Sequence, residues 1–153
     1  MKKYILLLSA IVITLASCTN GPSVEMAQQA KTDDSTITAY LAANPAIKST
    51  KDPSGLYYQV VKQGTGAYPT ANSVVTVNYT CSLIGGRRYD TWDDFTRPLP
   101  DLVKAWQIGV PHVKAGGNII LYVPSHLAYG PSGAGPIPEN AVLAFDIELI
   151  SFK

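Results

Sequence analysis

VPSHLAYGPSGAGPIPENAVLAFDIELISF, residues 123–152, decides how this chain folds. It opens on the end of an apolar strand and breaks at Pro124, a residue that cannot donate to a sheet ladder. It closes on Leu143, Phe145, Ile147 and Leu149, which alternate with smaller or polar residues. A period of two over that length is a strand with one buried face. The Gly/Pro/Ser loop between them keeps two large residues, Tyr129 and Ile137. A loop that retains large apolar groups uses them for packing or for a site.

Working outward, residues 118–123 form a nearly continuous apolar strand, suited to the centre of a sheet. Pro100 fits the first position of a helix. Residues 101–108 are predicted to follow as a short helix, with Leu102, Val103 and Trp106 on one side and Gly109 ending it. Residues 91–99 read as polar and irregular apart from Trp92 and Phe95. Further back, residues 74–83 place Val75, Val77, Tyr79 and Cys81 on one face of a strand. Gly85-Gly86 turns that strand into a return strand beginning at residues 87–90. Residues 56–62, LYYQVVK, form one more strand, followed by a turn at Gly64-Thr65-Gly66. Several strands and one short internal helix make an α+β domain, an antiparallel sheet wrapped across the helix that carries Trp106.

The first residues belong to targeting rather than to the fold. Lys2 and Lys3 precede an apolar run at residues 4–15, too short for a comfortable membrane span. The run ends in Leu15-Ala16-Ser17-Cys18, which resembles a bacterial lipobox. That likeness implies a signal peptide at residues 1–17 and a lipid on Cys18, giving a membrane-anchored protein of the bacterial envelope, periplasmic or surface-facing. An ordinary signal peptide cut near Ala16 or Cys18 is the alternative. Residues 19–31 read as a polar tether. A short helix is expected over residues 33–43, capped by Asp33, Asp34 and Ser35, with Ile37, Tyr40 and Leu41 as a narrow apolar stripe. The expected organisation is therefore a leader at 1–17, a tether with a short helix at 18–53 and a folded domain at 54–153.

Composition excludes several function classes. The 153 residues carry a formal charge of +1, which offers nucleic acid no basic surface. Two cysteines make no disulfide framework, and no His/Cys cluster has metal-ligand spacing. His112 and His126 are the only imidazoles and flank no nucleophile motif. GPSGAGP lacks the partners of a phosphate loop. Cys81, in an apolar strand, reads as a small core residue.

What remains is a set of aromatic and aliphatic residues with few polar tips. In order and spacing it resembles the FKBP-type peptidyl-prolyl cis-trans isomerases over about residues 54–153. The phrases SGLYYQVVKQGTG, VNYT, LAYG and LAFDIELI carry the likeness. The resemblance implies an FKBP-like sheet across a short helix and isomerisation of X-Pro bonds in envelope proteins, with no cofactor and no metal. It implies Asp90 and Tyr129 as the catalytic pair. It implies Tyr79, Tyr89, Leu102, Val103, Trp106, Ile137 and Phe145 as the substrate pocket. Pro-containing polypeptides would be the substrates, and macrolides are candidate ligands. Two departures stand out. Thr91-Trp92 follows Asp90 where the family has Ser, and Arg97-Pro98-Leu99-Pro100 leads almost straight into the helix where the family has a further strand. A shortened wall, with Leu99 replacing a pocket phenylalanine, motivates a second reading: a catalytically weak or inactive chaperone-like module that binds peptides.

Overall fold

The computed structural model describes residues 22–153. The leader, Cys18 and the first residues of the expected tether lie outside them. In chain order the elements are α1 (Pro22–Ala43), β1 (Thr50–Lys51), β2 (Tyr57–Lys62), β3 (Val74–Leu83), β4 (Arg88–Pro98), α2 (Lys104–Gly109), β5 (Gly117–Val123) and β6 (Leu143–Phe152). Short 3₁₀ turns at Leu99–Asp101 and Val110–His112 flank α2, and two more lie in the loop after β5. The strands form one antiparallel sheet in the order β1-β2-β5-β6-β3-β4. This is the α+β architecture that the sequence predicts.

Alternation along β5 sorts side chains to the two faces of the sheet. Ile119, Leu121 and Val123 enter the main core with Val75, Val77, Phe145 and Ile147. Ala105 and Trp106 of α2 close that core from the concave side. The helix lies so close that a Cβ built on Gly109 would stand 2.5 Å from a methyl of Leu121. Only glycine permits that approach. Tyr122 and Ile120 point the other way and meet α1, where Ile37, Tyr40 and Leu41 pack with Tyr57 and Val142. The Tyr40 and Tyr122 rings lie 5.9 Å apart.

Two elements differ from the sequence expectation. Helix α1 starts at Pro22, not at residue 33, and residues 22–31 are helix rather than tether. SVEMAQQAK is rich in good helix formers and poor in apolar groups, so its polarity marks a solvated helix rather than a coil. Asp33, Asp34 and Ser35 are then mid-helix residues and not caps. Strand β4 runs unbroken to Pro98, where the sequence reads as irregular. It is an edge strand with one wet face, and its pairing with β3 shifts register between Val77 and Tyr79. Asp94 sits there at φ 52°, its N–H donating to Asn78 Oδ1 at 2.9 Å. A bulge of this kind breaks the period-two pattern by which a strand is read.

Candidate active site

The chain of hydrogen bonds around α2 sets the floor of a cavity. Leu99 N–H donates to the Ser73 carbonyl and Leu102 N–H to that of Leu99, so the segment enters α2 as a tight turn. Val103 precedes the helix in extended geometry, at φ −58° and ψ 150°. Gln107 Nε2 reaches back from α2 to the Leu102 carbonyl at 2.7 Å and holds the turn against the helix. Leu102, Val103 and Trp106 are thereby brought to one side of a concave opening.

That opening measures about 90 Å³. Trp106, almost fully buried, forms its base. Three aromatic rings stand edge-on around the indole: Tyr79 at 5.2 Å and 83°, Phe145 at 5.7 Å and 85°, and Phe95 at 6.4 Å and 77°. Edge-to-face packing of this kind is the preferred geometry for aromatic quadrupoles, and it leaves ring faces available to line a space. The indole Nε1 is buried and unpaired among the described residues. An unsatisfied buried donor costs about 1–3 kcal/mol, which a carbonyl that reached it would recover.

The loop between β5 and β6 supplies the roof. Residues 134 and 137 close on each other through two backbone hydrogen bonds, Ala134 N–H to the Ile137 carbonyl at 3.0 Å and the reverse at 2.9 Å. Asn140 N–H donates to the Gly130 carbonyl at 2.8 Å. Gly133 sits at φ 62°, and a Cβ built there would stand 2.4 Å from the Ile137 carbonyl oxygen, so only glycine fits. These closures set Ile137 and Tyr129 over the cavity.

Polar groups are few. The Tyr79 hydroxyl donates to Asp90 Oδ2 at 2.5 Å. Burial, then this carboxylate, pushes the Tyr79 hydroxyl well above the usual phenol range, so it stays a donor. Burial also raises the Tyr129 hydroxyl, with its neighbours Cys81 and Asp90 as smaller causes. Cys81 lies against the cavity as well, its thiol pushed up to about 12 by burial and then by Asp90. A thiol held in that form is no nucleophile. Among the described residues there is no cluster that could hold a metal ion.

Of the residues singled out in the sequence, Tyr79, Asp90, Leu102, Val103, Trp106, Tyr129, Ile137 and Phe145 line one cavity. Tyr89 does not. It is half-buried on β4, packs against the main core and lies under the Arg87 guanidinium, 5.8 Å from its ring centroid. Leu99 does not replace a pocket phenylalanine either: it is fully buried in the core. Phe95, from the segment read as irregular, lines that wall instead. Its signal in the sequence was an aromatic residue isolated among polar ones, and the β4 bulge hid its facing.

Comparison with known proteins identifies the family and the fold. The family model for FKBP-type peptidyl-prolyl cis-trans isomerase matches residues 66–150. The FKBP-type peptidyl-prolyl cis-trans isomerase FkpA of Aeromonas hydrophila is 46% identical over 121 residues, covering 74% of this chain and 44% of that protein. The outer membrane protein MIP of Legionella longbeachae is 37% identical over 139 residues, covering 86% of this chain and 59% of that protein. The chain thus spans about half the length of these relatives. The crystal structure of FkpA from Escherichia coli superposes with a TM-score of 0.72 at 32% identity, over 86% of this chain and 64% of that one. On the match of more than half its length to the family model, the chain belongs to the FKBP-type peptidyl-prolyl cis-trans isomerase family.

Proposed function

We propose that the cavity over Trp106 catalyses cis-trans isomerisation of X-Pro peptide bonds in unfolded or extended polypeptides. Rotation about a peptide bond faces roughly 18–20 kcal/mol of lost amide resonance. The two X-Pro isomers differ by only about 0.5–1 kcal/mol, so the obstacle is the barrier. Resonance places negative charge on the carbonyl oxygen, and twisting removes it. The twisted amide is therefore less polar than either planar form, and an apolar enclosure binds it preferentially. The observation that carries the proposal is the ring of Tyr79, Phe95 and Phe145 around a buried Trp106.

Trp106, Phe145 and Val103 hold the proline ring. The Tyr129 hydroxyl and the Val103 N–H fix carbonyls of the substrate. Asp90 acts by orienting Tyr79, whose hydroxyl it already accepts. No covalent step is needed. With Phe95 completing the wall, isomerase activity is favoured over a binding module that leaves the rotation rate unchanged. Macrolides would occupy the same apolar cavity.

For cellular setting, residues 1–17 act as a leader and Cys18 as the lipidated residue, which holds residues 22–153 at an envelope membrane. Among the described residues no helix is long and apolar enough to cross a membrane, and one relative is named an outer membrane protein. Refolding of a protein limited by X-Pro isomerisation tests the activity. Uncatalysed, that phase takes tens of seconds. Catalytic amounts of the full chain should shorten it in proportion to concentration, and an unchanged phase would remove the isomerase reading.

A further inference from the structure

The N-terminal half of α1 runs beside the loop that carries Tyr129, and the two enclose an open groove of about 530 Å³. That volume lies within the roughly 300–1,000 Å³ of ordinary ligand pockets. Met26 and Ala30 line its helical side, and Ala128, Tyr129 and Pro131 its loop side. Met26 is 64% exposed, although the apolar stripe at Ile37 is buried on the sheet. Tyr129 lines this groove and the cavity over Trp106 alike, so a single side chain stands between the two.

The groove is also held in shape. Asp33 and Ser125 are each 1% exposed. One Asp33 oxygen accepts the Ser125 N–H at 2.8 Å and the Ser125 hydroxyl at 2.6 Å. The other accepts Gln29 Nε2 at 2.7 Å, and Gln29 itself lines the groove. Charge-assisted bonds of this kind are the strong ones, and here they pin the helix to the base of the Tyr129 loop. A wall fixed before a ligand arrives costs less ordering on binding.

We propose that this groove is an accessory subsite for the substrate polypeptide: an extended segment flanking the proline lays an apolar side chain between Met26 and Pro131. The proposal rests on the isomerase reading of the cavity over Trp106. An extended chain advances about 3.3–3.6 Å per residue, so it passes from the cavity across Tyr129 into the groove within a few residues. A methionine wall adapts to apolar side chains of varied shape, which suits substrates of varied sequence. Folded substrates cannot present such a segment, so the subsite selects unfolded chain.

The test compares a Pro-containing tetrapeptide with longer peptides that add Leu or Phe residues on either side of the same core. Isomerisation and peptide binding are measured on the full chain, Met26→Glu and Ala30→Glu. Long peptides carrying an apolar residue at groove distance should show roughly ten-fold higher kcat/KM than the tetrapeptide, the scale of one apolar contact in an enzyme site. Both variants should lose that advantage and treat the tetrapeptide as the parent does. Equal kcat/KM for both peptide lengths, or an advantage that both variants keep, would overturn the proposal. A change of sedimentation mass in the variants would overturn it too, by making the groove a contact between two copies. If no peptide is accelerated but long peptides bind with an affinity that Met26→Glu lowers, the groove stands and the isomerase reading fails. Circular dichroism checks α1. Should Ala30→Glu lose helix, the exposed Met26 decides alone.

Discussion

In the proposed mechanism Tyr129 and Asp90 are the polar groups that act on the substrate, and their roles differ. Tyr129→Phe removes one hydrogen bond to a substrate carbonyl and leaves the ring in place. A neutral hydrogen bond contributes about 0.5–1.5 kcal/mol, so kcat/KM should fall roughly 2- to 12-fold with unfolding midpoint unchanged. Asp90→Ala acts through Tyr79, whose hydroxyl loses its acceptor. Turnover should fall while affinity for an apolar peptide changes little. Cys81 gives a check of dryness at the same scale. Its thiol is raised to about 12, against roughly 8.5 for a free cysteine. In a Cys18→Ser background, alkylation at pH 8 should therefore proceed only on unfolding, and rapid modification of the native protein would show the cavity wall to be wet. Tyr79, Asp90, Tyr129 and Phe145 were legible because the phrases VNYT, LAYG and LAFDIELI that carry the family likeness stand in the sequence, although the segment before α2 departs from it. Tyr89, placed in the pocket by the family resemblance alone, falls outside the cavity lining where the pairing of β3 with β4 shifts register opposite it.

Elements were legible where burial imposes a period. Strand β3 matches its sequence reading, and β5 and β6 differ from theirs only at the ends, because each turns one mostly buried face to the core. Strand β4 and the start of α1 were not legible, because their residues are mostly exposed and carry no hydrophobic pattern. Tertiary bonds settle α1 instead. Asp33→Ala removes the acceptor of both Ser125 donors and should destabilise the fold by about 1.5–3 kcal/mol in urea denaturation. Asp34 gives a pH signature of a second contact, between α1 and strands β1 and β2. Hydrogen bonds from Lys51, then from Tyr57, hold its carboxyl below the usual value. A depressed folded-state value means the contribution is present above the unfolded value of about 3.9 and is lost as pH falls through the lower folded one. The pair is exposed, so its effect is small and salt-screened. Acid titration of Asp34→Asn should show a correspondingly shallower loss of stability below pH about 4.

At the scale of the whole molecule, a helix on each side of one sheet divides the work. Helix α2 brings Trp106 to the concave face, and α1 stiffens the convex face and the rim beside Tyr129. The proposed lipid on Cys18 places that unit at a membrane without altering it. Cys18→Ser should move the protein from the membrane fraction to the soluble one and leave peptide turnover unchanged. In the proposed mechanism the cavity over Trp106 speeds X-Pro rotation by preferring the twisted amide. A protease-free isomerisation assay on a Pro-containing tetrapeptide tests it most directly, with the full chain and Tyr129→Phe side by side. Relaxation should be faster than the spontaneous rate, proportional to protein and reduced in Tyr129→Phe at unchanged fold. Relaxation at the spontaneous rate with the peptide bound would contradict it.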